Sequence, residues 1–175
     1  ENYFSDKDKI LNSSFFLPYL SGERTPHNDP HIRGAFHSIK TTTDAINMQY
    51  AVIEGISFGL LDGVNSILKV NNNFEKIFVV GGGSRSSFWI GLLSSLLNRK
   101  LIVCDQSEFG AAIGVSRLAM NVDGNIKKKD KIIKEIKTSK EFNPKFENNK
   151  ILLRRYEIWR NIYLSNNKIA PSLLA

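Results

Sequence analysis

Ile46, Tyr50, Ile53, Leu60, Leu61, Val64, Ile67 and Leu68 keep a helical period for about seven turns, which predicts one long helix. Thr41, Thr42 and Thr43 offer N-caps ahead of it, and Asp44 suits the positive end of its dipole. Gly55, Ser57, Gly59 and Gly63 interrupt the pattern, each glycine costing up to about 1 kcal/mol relative to alanine. Small residues at that density predict that another element packs very close, so this is the expected central helix.

Shorter elements flank it. FFLPYL (residues 15–20) reads as a buried strand ending near Pro18, and GAFHSI (34–39) as a short alternating strand. Between them SGERTPHNDPHIRG (21–34) carries the prolines, glycines, Asn and Asp of a loop. Beyond the central helix follow a strand at 77–80, three glycines, a helix from about Ser86 to Asn98, and the strand LIVC at 101–104. FGAAIGVSRLAM (109–120) is a second small-residue helix, and ILLRRYEIWRNIYL (151–164) an amphipathic one with Leu152, Tyr156, Trp159 and Tyr163 on one stripe. The polar residues 1–14 read as a loosely held lead-in, residues 15–40 as loop and strand, and residues 41–175 as the core and C-terminal helices of a single domain. Helix, strand, helix, strand, helix is the order of an α/β fold with a largely parallel sheet, although the strands are too few to complete one.

Composition narrows the class. At 175 residues the chain is long enough for a real core, and no apolar run is expected to reach the roughly 20 residues of a membrane span. With neither an initiator methionine nor a basic-then-apolar leader, the chain is expected to begin inside a longer protein. The lone Cys104 excludes an internal disulfide and suits a reducing cytoplasm. A net charge of +7 raises the question of nucleic acid, but the lysines concentrate in KKKDKIIKEIKTSK (127–140), where Ile132, Ile133 and Ile136 predict a surface helix with one buried stripe. No aromatic residue is interleaved there to stack on bases, so neither a nucleic-acid nor a membrane partner is expected.

KIFVVGGGSRSSFW (76–89) holds the candidate chemistry. Three glycines after a strand let the backbone approach a flat ligand, and the following helix start presents unpaired N–H groups. Ser84 and Ser86 add hydroxyls, so the candidate binding residues are Gly81, Gly82, Gly83, Ser84 and Ser86. The lysine of a phosphate-gripping loop is missing, and the third glycine of a dinucleotide fingerprint is Ser86. Taken alone, the run is equally a tight strand-to-helix turn.

Other polar residues remain open between two roles. Glu23 and Arg24 either line a cleft or hold the proline-rich loop. Glu54 and Asp62 lie eight apart on one face of the central helix, where they could meet magnesium or hydrogen-bond within a packed helix. His27, His31 and His37 lack the tight spacing of metal ligands and read as loop-ordering. Asp105 and Glu108, near the end of the last strand, are further candidates for whatever the glycine turn receives.

FLPYLSGERTPHNDPHIRGAF, AVIEGISFGLLDGV, VVGGGSRSSFW and GAAIGVSRLA, in that order, resemble the C-terminal domain of the FGGY family of carbohydrate kinases, and most closely its xylulokinase branch. Gluconokinase-like and ribulokinase-like members have similar loops but usually depart at T-P-H-N. The resemblance runs from about Phe15 to the end. It implies the later part of an actin-like, ribonuclease-H-like ATPase domain, with ATP on this side of a cleft and the sugar, a ketopentose, mainly on an N-terminal domain of the same protein. The full-length enzyme would use ATP with Mg2+. Gly82 and Gly83 would approach the adenine, and Ser86 would stand where the family has a polar, nucleotide-bonding residue. The family's catalytic aspartate and phosphate-cradling Thr-Gly turn have no counterpart here. The chain alone is therefore expected to lack kinase activity, and an open apolar sheet edge should lower its stability or pair it with a second copy. The function implied is transfer of the ATP γ-phosphate to D-xylulose by the full-length protein. Another FGGY sugar kinase, or a non-catalytic interaction module of the same fold, stands as the alternative.

Overall fold

The computed structural model describes residues 13–70, 74, 76–105, 109–122 and 137–169. Along the chain the elements are β1 (Phe15–Leu17), β2 (Ala35–His37), α1 (Ala45–Leu68), β3 (Lys76–Val79), a 3-10 turn (Gly82–Arg85), α2 (Ser87–Leu97), β4 (Lys100–Cys104), α3 (Gly110–Val122), β5 (Thr138–Phe142) and α4 (Phe146–Ile169). They form two compact units, Glu1–Asn73 with Lys145–Ala175, and Phe74–Pro144.

In the first unit β1 and β2 pair antiparallel, with Phe16 opposite Phe36. The cap of α1 is Asp44 rather than a threonine. Its carboxylate accepts from the Asn47 N–H at 2.7 Å while its own N–H donates to the Asn47 side chain at 3.3 Å. Thr43 is occupied one step earlier, its hydroxyl accepting from the Lys40 N–H at 2.9 Å. Of the glycines of α1, Gly55 alone makes the close approach that their density predicted; a Cβ at Gly63 would meet nothing within 4 Å. A Cβ at Gly55 would stand 2.2 Å from the Phe16 carbonyl oxygen, so only a glycine lets β1 lie against the helix here. That carbonyl also accepts from the Trp159 indole N–H at 2.8 Å, which ties α4 to the same strand. Leu17, Ile32, Phe58, Leu152 and Trp159 are fully buried and form the centre of the unit.

Two expectations change in this unit. Helix α1 is in fact long and apolar enough to cross a bilayer by length and composition, because its glycines and serines hardly lower its hydropathy. Yet Glu54 and Asp62 are buried in it beside polar partners from α4, as befits the core helix of a packed unit. Ser13 and Ser14, the last two residues of the expected loose lead-in, are buried, and Ser13 is hydrogen-bonded to Arg155. Residues 1–12 lie outside the described residues.

His37 on β2 carries a pH prediction. Its Nε2 is buried without a hydrogen-bond partner among the described residues, and desolvation holds its pKa below the ordinary 6.5. A histidine with a lowered folded pKa binds fewer protons folded than unfolded. Its contribution is thus present above pH 6.5 and lost as pH falls from there through the folded value. Urea unfolding at about pH 7.5 and pH 5.5 should show a smaller acid loss for His37→Phe than for the unaltered protein. Equal losses would remove His37 from the explanation.

In the second unit β3 and β4 run parallel, with Val79 beside Val103, and β5 joins β4 antiparallel, with Val103 opposite Lys140. The sheet is mixed rather than largely parallel. Thr138, Ser139 and Lys140, expected at the end of a lysine-rich helix, lie instead in β5, where β4 supplies partners for their backbone. The rest of that expected helix, residues 127–136, lies outside the described residues. The exposed Ser86 caps α2 by accepting from the Trp89 N–H at 3.2 Å, and Asn98 in the left-handed conformation ends it.

Candidate functional site

The strand β3 runs out at Val79, and Gly81 turns the chain with φ at +97°, a region that side-chain-bearing residues rarely adopt. The Gly81 carbonyl then accepts twice, from the Ser84 N–H at 3.1 Å and the Ser84 hydroxyl at 2.7 Å. Ser84 is buried and its hydroxyl holds the turn closed.

The three glycines differ in what lies in front of them. A Cβ at Gly83 would stand 2.2 Å from a Trp89 ring carbon, so Gly83 makes room for the first turn of α2. At Gly81 and Gly82 a Cβ would meet nothing within 4 Å. Gly82 is exposed, has no positive φ and touches no neighbour that would require a glycine. It presents bare backbone to open space. Ser86 is exposed beside it, and while its oxygen caps α2 its hydroxyl hydrogen can still donate.

Asp105, exposed just beyond β4, lies at the same carboxyl edge of the parallel pair, whereas Glu108 lies outside the described residues. A Cβ at Gly110 would lie 3.5 Å from Val80, so the start of α3 packs on the residue that leads into the turn.

The remaining candidates gather in the first unit. Arg155 on α4 grips Glu54 with two bonds of 2.7 Å, Nε to Oε1 and Nη2 to Oε2, and both side chains are at most 5% exposed. Its Nη2 also donates to the Ser13 hydroxyl at 2.8 Å, and the guanidinium lies 4.3 Å over the Phe15 ring. Burial pushes the Glu54 carboxyl above its ordinary pKa, although Arg155 pulls against it. Asp62 accepts from the Tyr156 hydroxyl, and His27 Nε2 lies 3.1 Å from its other oxygen.

His27 in turn stacks on Tyr163 with ring centroids 4.2 Å apart, and its backbone N–H donates to Glu23 at 2.8 Å. Glu23 and Asp29 exchange backbone bonds of 2.8 and 2.7 Å, so this glutamate orders the 21–34 loop while Arg24 stays exposed. Glu54 and Asp62 are thus engaged by side chains of α4 and the loop, and among the described residues no three metal-ligating side chains converge. Sequence reading did not single out Arg155 or Trp89. The signal for Arg155 was its place three residues after Leu152 and four before Trp159, on the buried stripe.

Residues 5–121 match the FGGY family of carbohydrate kinases, C-terminal domain. The chain is 32% identical over 164 residues to the xylulose kinase of Staphylococcus epidermidis, covering 93% of this chain and 33% of that protein. It superposes on a crystal structure titled xyloylose kinase from Brucella ovis with a TM-score of 0.78 and 27% identity, covering 96% of this chain and 37% of that one. The gluconate kinase of Lactobacillus acidophilus, 24% identical, shares the fold with a TM-score of 0.76 over 96% of this chain and 34% of its own. The chain spans about a third of the length of the curated relatives it matches. It belongs to the FGGY family of carbohydrate kinases and carries part of that family's C-terminal, actin-like domain.

Proposed function

We propose that the full-length protein transfers the γ-phosphoryl group of ATP to D-xylulose, giving D-xylulose 5-phosphate, and that this chain supplies the surface on which the adenosine end of ATP rests. The observation that carries the reading is the 32% identity to a xylulose kinase over nearly the whole chain. The turn after β3 fits the nucleotide in one respect. Gly82 offers uncovered backbone, where a base can lie flat, with Ser86 beside it as a donor. Gly81 and Ser84 hold the turn in shape, and Gly83 lets Trp89 pack behind it. Mg2+ would accompany the phosphates, and neither Glu54 nor Asp62 is assigned to it, since both are taken up within the first unit.

Sugar and catalytic base belong, on this reading, to an N-terminal domain of the same protein, and the enzyme works in the cytoplasm, where ATP is supplied. Phosphoryl transfer relies on positioning and charge neutralisation, so the chain's part is to bind and orient. A coupled assay of ADP release by the full-length protein over D-xylulose, D-ribulose, gluconate and glycerol tests it. The highest kcat/KM is expected on D-xylulose. A higher value on gluconate would replace the substrate within the same family, and no turnover on any of them would favour a non-catalytic module.

A further inference from the structure

Asp105 is a polar side chain at the edge of the turn's sheet that this reading leaves without a role. β3 and β4 are parallel and in register, Val79 beside Val103, so Gly81 and Asp105 each lie two positions beyond the last pair. They occupy the same edge on strands about 4.8 Å apart. In open α/β sheets, ligands bind outside the carboxyl ends of the strands. The Asp105 backbone N–H donates to the Lys137 carbonyl at 2.8 Å, which fixes the residue on the edge while its side chain is exposed. Among the described residues no cation pairs with it. A carboxylate only accepts hydrogen bonds, and what the adenosine end of ATP offers beside its base is a pair of ribose hydroxyls.

We propose that Asp105 is a specificity residue for the nucleotide, its carboxylate accepting hydrogen bonds from the ribose hydroxyls of an ATP whose base lies on the turn at Gly81 and Gly82. This rests on the nucleotide reading of that turn. A charge-assisted hydrogen bond lost at such a site weakens binding about 10–100-fold. The test is calorimetric binding of ADP, 2′-deoxyADP and 3′-deoxyADP to the full-length protein, which needs no turnover. The unaltered protein should prefer ADP to at least one deoxy analogue by about 10-fold or more. Asp105→Ala should bind ADP as weakly as that analogue, and Asp105→Asn should keep part of the preference, because its amide oxygen still accepts. Melting temperatures should stay level, since the backbone bond to Lys137 is untouched.

Asp105→Ala retaining the preference, or weakening all three ligands equally, overturns the proposal. Gly82→Val separates its failure from that of the reading beneath it. If Gly82→Val abolishes ADP binding while Asp105→Ala keeps the preference, only the role of Asp105 falls. If Gly82→Val binds ADP normally, the turn is not the nucleotide site and both fall.

Discussion

Arg155→Ala should destabilise the fold by about 3–5 kcal/mol, among the largest losses any single side chain of this protein can cause. The guanidinium is the counter-ion of Glu54, which is 1% exposed, and the donor to Ser13 beside β1. Removing it leaves a buried carboxylate that must either stay charged without a partner or take up a proton. At about 2–4 °C per kcal/mol, the melting temperature should fall by on the order of 10 °C. Arg155→Lys should recover only part of this, because an ammonium cannot bond both carboxylate oxygens in the planar fork that Nε and Nη2 now make. Joint replacement, Glu54→Leu with Arg155→Met, should restore much of the loss, since a well-packed apolar pair avoids the desolvation cost of both ions. A loss below about 1 kcal/mol for Arg155→Ala would mean the pair is solvated like a surface bridge.

That pair also marks where sequence reading stops. The period of α1, the stripe on α4 and the strands around the glycine turn were legible because each is a local pattern. The helix caps were legible only to within a residue, with Asp44 taking the role offered to three threonines. Long-range partners leave no such trace. Nothing in the run around Glu54 says that its partner lies 101 residues further on. The antiparallel β5 was missed for a related reason. Lysines with isoleucines at helical spacing look helical on their own, and only the presence of β4 alongside makes Thr138 to Phe142 extend.

At the turn, the sequence showed three equivalent glycines and the fold distinguishes them. Gly81 is needed for its backbone angle and Gly83 for the Trp89 ring, reasons that have nothing to do with a ligand. Gly82 has neither reason, and it faces open space. A side chain there should therefore be harmless to folding and harmful to whatever lies on the turn. Gly83→Val, by contrast, drives a branched side chain into Trp89, and overpacking of that kind costs about 1–3 kcal/mol in stability. Its effect on ATP would be confounded by damage to α2. If a base rests on the turn, the same steric cost falls on binding in Gly82→Val, where 1–3 kcal/mol corresponds to a KM for ATP raised by roughly 5–150-fold.

The most direct measurement is thus the pair of Michaelis constants, for ATP and for the sugar, of full-length Gly82→Val beside its melting temperature. The expected result is a KM for ATP raised about 10-fold or more, with the sugar KM and the melting temperature unchanged. An unaltered KM for ATP, or equal damage to both substrates with a lowered melting temperature, would contradict a nucleotide seated on this turn.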